Sequence, residues 1–339
     1  MKKFGTKVIA GALALAGLTA TVATAQPAAY EPASVLVFPY FDSRPQNATM
    51  ITVTNTNSDR TVCADNDNLR VGDVRVHYVY YGDRAADIDA GRANWLEFDR
   101  FERLTPGDTK TVLAWTHNPE MEMGFLSVRA LSPDTDEPIA FDHLIGSAYM
   151  ANAALDIMWD YIPYAFQAVG DVGESTCGHP IVTDAPGTRF DNVDYVAFPD
   201  VLFLDMFFQE RAGLFDNKFV LMSTTGQDYI NETDFLIWNN KEDRFSRTHK
   251  FVCWTSIPLS KVSQVVKNLN GDPNEFIVQT GWLKVNGRRV LDLSGNPVVS
   301  GDFANGPALL GVYMQSVRSE FQSGHELHFD GSQNTSLPN

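Results

Sequence analysis

The chain is poor in cysteine and in positive charge, and it has no long apolar run beyond its first two dozen residues. Each shortage excludes something. Three cysteines, Cys63, Cys177 and Cys253, allow a single disulfide and leave one thiol over. Lysine and arginine number 26 against 42 aspartates and glutamates, a net charge of −16. Nucleic acid and anionic membrane both need a basic face, so neither is expected as a partner. The acidity is compatible with cations, with neutral glycans or with plain solubility, and the last is the simplest reading. Val8 to Leu18 is apolar but well short of the roughly 20 residues of a spanning helix. It follows Lys2, Lys3 and Lys7 and precedes Ala23-Thr24-Ala25, the pattern of a cleaved signal peptide covering 1–25. The mature chain is then expected to begin at Gln26. It would be exported to the periplasm or the medium, with no membrane insertion after cleavage.

Motifs for common chemistry are missing too. The sequence contains no G-x-S-x-G elbow, no phosphate-binding G-x-x-x-x-G-K-[ST] loop and no dinucleotide fingerprint opening a helix. No cofactor and no catalytic residue are therefore expected. His325-Glu326-Leu327-His328 is one residue short of a zinc helix, and the other histidines are scattered. Asp65-Asn66-Asp67-Asn68 and Asp87-Ile88-Asp89 offer hard oxygen ligands without completing a calcium loop. Glu97, Asp99 and Glu102 alternate with Phe98 and Phe101, as on the outer face of a half-buried strand. No metal site is assigned.

What the chain has is strands. Apolar residues make up 44% and aromatics 12%, enough for sizeable cores. In Ala48 to Asn55, Ile51 and Val53 alternate with Met50, Thr52 and Thr54 before an Asn-rich turn. Val71 to Tyr81, Leu96 to Leu104, Lys110 to Trp115, Gly124 to Leu131 and Ile139 to Ala148 follow, with Thr105-Pro106-Gly107-Asp108 as a turn. This density of short strands predicts an all-β sandwich of immunoglobulin-like architecture, without the Cys…Trp…Cys signature of antibody domains.

The second half repeats the first at low identity. Phe38-Pro39 returns as Phe198-Pro199, Met50–Asn55 as Val220–Thr225, and Val76–Tyr80 as Asp234–Trp238. Leu104–Pro106 returns as Ile257–Leu259, Gly124–Val128 as Gly281–Val285, and Leu144–Gly146 as Leu309–Gly311. A spacing near 160 residues indicates a duplicated domain rather than a solenoid. The predicted organisation is a sandwich over 26–150, an aromatic connector and polar linker over 151–194, a second sandwich over 195–319 and a polar, frayed tail over 320–339. Asp200 to Phe208 has no evident counterpart in the first half, and Val262, Val265, Val266 and Leu269 have helical spacing. In the connector, Trp159, Tyr161 and Tyr164 are candidate binding residues, since exposed rings stack on sugars. The competing expectation, favoured by their place between the repeats, is packing between the domains. Cys177 and Cys253 are the expected disulfide, both falling to the second domain.

The runs Ser34–Pro39, Ile51–Asn57, Leu96–Arg100, Leu104–Asp108 and His143–Gly146, with Phe251–Trp254 and Gly281–Leu283, resemble those of uncharacterised exported bacterial proteins with duplicated β domains. The resemblance implies no activity and no site residues. The expectation is an exported, non-catalytic binding or structural protein, its partner a protein or a glycan. The alternatives are a carbohydrate-active hydrolase using dispersed carboxylates and, more weakly, a calcium-stabilised adhesion module.

Overall fold

The computed structural model describes residues 31–58, 63–65, 68–70, 72–91, 93–153, 157–169, 177–181, 188–208, 215–262, 280–299, 303, 306–317, 321–326, 328–330 and 335–337. The signal segment and its cleavage point lie outside them. The protein is all-β, with 62% strand and 6% helix. The first half supplies β1 (Val35–Asp42), β2 (Asn47–Asn55), β3 (Cys63–Asp65), β4 (Asn68–Arg70), β5 (Val74–Asp83), β6 (Leu96–Leu104), β7 (Thr109–Leu113), β8 (Met123–Leu131), β9 (Ile139–Ala140), β10 (Leu144–Asn152), β11 (Ile157–Tyr161) and β12 (Tyr164–Phe166). Its short helices are α1 (Ala85–Asp89) and α2 (Ala114–His117). The connecting region contributes β13 (His179–Pro180) and β14 (Thr188–Phe190). The second half supplies β15 (Val201–Phe208), β16 (Phe215–Ser223), β17 (Tyr229–Asn239), β18 (Arg244–Phe251), β19 (Trp254–Pro258), α3 (Leu259–Val262), β20 (Thr280–Asp292), β21 (Pro297–Val298), β22 (Leu309–Val317), β23 (Phe321–Glu326), β24 (His328–Asp330) and β25 (Thr335–Leu337).

The strands pair antiparallel. The first half forms the sheets β12-β1-β8-β5-β6 and β11-β10-β2-β7. The second forms β18-β17-β20-β15-β24, with β21 on β20, and β19-β16-β22-β23. Local chemistry explains the pieces. In β2, Ile51 and Val53 are buried, while Thr52 and Thr54 meet Thr111 and Thr109 of β7 in hydroxyl pairs at 3.0 and 2.9 Å. The β6–β7 turn closes through the Asp108 amide donating to the Thr105 carbonyl, with Gly107 at φ +76°, the positive φ a type II turn needs. Both β1 and β15 carry a register shift, between Phe38 and Phe41 and between Leu204 and Phe207. In each, a glycine stands opposite the far side of the shift, Gly124 against Phe41 and Gly281 against Phe207.

The architecture is sandwich-like, but its strand order differs from an immunoglobulin domain. There the first strand lies in the sheet of the second and fifth, and the last beside the sixth. Here β1 joins β8 and β5, and β10 joins β2. Two further expectations change. The region 151–194 is not all linker, because β13 pairs with β9 and β14 with β25. The tail is not frayed throughout. β23 extends the β22 edge, β24 pairs with β15, and β25 seats on β14, since ladder hydrogen bonds do not depend on an apolar pattern. Finally, β16 and β22 are apolar on both faces. Phe219, Leu221, Leu309 and Tyr313 enter the second core, while Val220, Met222, Leu310, Val312 and Met314 join the core of the first half.

The cysteines depart from expectation. Cys253 is a free, buried thiol and Cys177 is disulfide-bonded, so the two are not each other's partners. The reason is position. Cys177 runs directly into β13, which is docked on β9, so this segment belongs to the first half. Cys253 occupies the corner between β18 and β19 at φ +52°, and burial pushes its thiol up to about 12.

Candidate functional site

Trp159, Tyr161 and Tyr164 do not form an exposed platform. Their exposures are 7%, 3% and 2%. Tyr161 takes a hydrogen bond from the Tyr40 amide at 3.2 Å and donates one to the Tyr40 carbonyl. Tyr164 donates across the seam to the Gly311 carbonyl at 2.8 Å. Trp159 stacks with Tyr40, which also stacks with Trp254 of the second half, both with ring centroids 5.9 Å apart. Trp95 continues the row at 6.2 Å, and the Trp254 indole N–H donates to the Pro39 carbonyl at 2.9 Å. An aromatic ladder thus ties the two halves together.

The ladder runs beside a cleft. On one side a hollow of about 640 Å³ is walled by Trp95, Trp254 and Phe251, with Gln227, Thr255 and Ser256 as hydrogen-bonding groups and Arg44, Lys218, Lys250 and Lys261 as cations. Among the described residues, Asp89 is the acidic side chain of this wall. On the other side a smaller hollow of about 120 Å³ opens between Tyr40, Trp159, Asn47 and Asn152, and Arg44 and Lys218 line both. The larger lies in the volume range of small-molecule sites.

The charges here are not equivalent. Arg44 is taken by Asp42, Nε to Oδ1 at 3.0 Å and Nη2 to Oδ2 at 2.6 Å. Burial would raise the Asp42 carboxyl, but the Arg44 hydrogen bonds and charge outweigh it and hold it below the usual range. Tyr40 donates to the same carboxylate at 3.0 Å, and burial followed by the Asp42 charge keeps its phenol protonated. Lys250 is taken by Glu232 at 3.2 Å, a carboxylate also held by Arg288 and Arg289. Lys218 has no carboxylate within ion-pair distance among the described residues. Its ammonium lies 5.8 Å over the Tyr40 ring. Burial first, then the Arg44 charge, lowers its pKa, against the opposing pull of Asp42 and Asp89.

Other polar clusters are structural. His77 receives Arg129 Nε and Nη2 on Nδ1 at 3.1 and 2.9 Å, so its proton sits on Nε2, which faces Asp99 at 2.6 Å. With both ring nitrogens occupied, it has none left to activate a nucleophile. His325 lies on β23 and His328 on β24, so the pair is not on a helix. Asp87 and Asp89 lie on α1 rather than in a loop, and no group of three or more potential metal ligands occurs among the described residues. Asn66 and Asp67 lie outside those residues. On β6 the period of two departs from expectation: Glu97 and Asp99 share the outer face with Phe101, which is 44% exposed, while Glu102 shares the other face with Phe98. Asp99 serves His77 and Glu102 faces Lys110 at 3.1 Å.

No family model matches the chain, and no curated protein matches it. Among solved structures, the Cowpea mosaic virus top component, described as naturally occurring empty particles, aligns over 97% of both chains at 8% identity with a TM-score of 0.19. Broad Bean Stain Virus aligns with the same values. Likeness at that level carries no argument about this chain.

Proposed function

We propose that the protein is an exported, non-catalytic binding protein built from a duplicated β domain, with the cleft at the seam as its binding site. The observation that carries this reading is the cleft itself, a hollow of about 640 Å³ whose aromatic and polar walls come from both halves. The duplication is supported by pairing order. Replacing β1, β2, β5, β6, β7, β8, β10, β11 and β12 by β15, β16, β17, β18, β19, β20, β22, β23 and β24 converts one set of sheets into the other. The matched shifts opposite Gly124 and Gly281 add to it. Gly124–Val128 and Gly281–Val285 take equivalent places, as do Leu144–Gly146 and Leu309–Gly311. Other sequence matches slip. Register pairs Met50 with Lys218 rather than Val220, and Phe38 with Leu204 rather than Phe198. Leu104–Pro106 ends β6, whereas Ile257–Leu259 joins β19 to α3. The bridge at Cys177 is in keeping with an oxidising compartment.

A hydrolase of the two-carboxylate kind is less well supported, because among the described residues Asp89 faces the cleft without a second free carboxylate lining it. The test uses the secreted product, whose mass should correspond to a chain starting at Gln26. Thermal-shift and calorimetric titration against short saccharides and peptides should give saturable binding that Thr255→Arg, placed in the cleft wall, abolishes. Reducing-end release from a bound saccharide, lost in Asp89→Asn, would replace this reading by the hydrolase.

A further inference from the structure

We infer that Lys218 is the anchor for a carboxylate, and that the ligand of the cleft is a short sugar carrying one acidic group. The inference rests on the binding reading above and narrows it to a chemical class. Lys218 is the cation of β16 and leads into its apolar run, Phe219, Val220, Leu221 and Met222. The protein is strongly acidic, yet it supplies this ammonium with no counter-ion among the described residues. Its neighbours show what a paired cation looks like here, for Arg44 is bound by Asp42 and Lys250 by Glu232. A desolvated ammonium facing an aromatic ring gains most from an anion brought by a ligand, because the same low polarity that penalises the lone charge strengthens the pair.

Lys218 is also placed where such a group would arrive. It lines both hollows and stands at their junction. The rest of the larger wall combines the rings of Trp95, Trp254 and Phe251 with the amide, hydroxyl and ammonium groups of Gln227, Thr255 and Lys261. A sugar ring has that dual character, apolar C–H faces and a rim of hydroxyls. The net charge of the protein disfavours a long polyanion approaching through solvent. The size of the hollow and the field therefore both favour one or two rings with one carboxylate.

The test uses cellobiouronic acid, its methyl ester and cellobiose, titrated into the full-length secreted protein. The free acid should bind at least about tenfold more tightly than the ester. Lys218→Met, which keeps the aliphatic stem, should bring acid and ester to equal affinity, and Lys218→Arg should keep most of the preference. Equal affinity for acid and ester in the wild type would overturn the inference and leave the cleft reading standing. An undiminished acid preference in Lys218→Met would do the same. Absence of binding by all three sugars would overturn both. The ester comparison needs no variant, so it decides the matter even if Lys218→Met does not fold.

Discussion

Tyr40 is the residue on which the two halves meet. Its ring stacks with both Trp159 and Trp254, its hydroxyl is bound to Asp42, and its backbone is bound to Tyr161. Removing Trp159 leaves a large void beside a ring that nothing else fills. Truncating a buried aromatic costs roughly 3–5 kcal/mol, so Trp159→Ala should lower the melting temperature by several degrees or more. The same substitution also opens the smaller hollow, which Trp159 lines. An unchanged melting temperature with loss of sugar binding would mean that the indole serves the ligand and not the seam. Calorimetry and titration on the one variant separate the two outcomes. Sequence spacing put Trp159 between the repeats and so pointed to packing. It could not find Tyr40 or Lys218, because their partners lie far along the chain, as with Pro39 and Trp254, 215 residues apart.

At the scale of elements, strands announced by alternation emerged where expected, β2 and β6 among them. Uniformly buried β8 emerged too, but runs without alternation left some counterparts unmatched. β15 had no evident counterpart in the first half, yet Val201-Leu202-Phe203-Leu204 takes the place of Val35-Leu36-Val37-Phe38 in β1, because pairing partners, which no local pattern encodes, define its position. The polar strands β23 to β25 were illegible for the same reason. The cleft was hidden more deeply, since its wall is drawn from α1, β18, β19 and loops of both halves. Gly281 tests the element-level account. A Cβ there would fall on the Trp238 carbonyl and within 2.6 Å of the Phe207 ring. Gly281→Val should therefore break the β15–β20–β17 pairing locally and destabilise the fold more than a surface strand glycine would, by roughly 1–3 kcal/mol or more. Amide exchange in β15 and β17 measures it, and native protection in the variant would show that the close approach is not required.

Across the whole molecule, the shared apolar face of β16 and β22 couples the halves into one unfolding unit. Calorimetry should give a single transition. Its pH dependence follows from buried imidazoles. His117 is pushed down to about 4, by burial first, with Glu102 opposing and Arg100 and Lys110 adding. Its unfolded value is about 6.5. Between those values the unfolded chain binds the proton and the folded chain does not, so stability is full above about pH 6.5 and declines as pH falls toward 4. His77 and His249 are lowered as well and act in the same direction. His117→Gln should flatten part of the decline in melting temperature between pH 7 and pH 5. A slope identical to wild type would remove His117 from the account.

The two-faced sheet also sets a timetable. Pro39 and Trp254 are bonded across 215 residues, and a ribosome adding about 5–20 residues per second needs on the order of 10–40 s to span that interval. Throughout it the N-terminal half waits with the surface destined for Val220, Met222, Leu310 and Val312 still uncovered. A nascent chain in that condition depends on a holder, and a truncation ending before β16 inherits the exposed surface permanently.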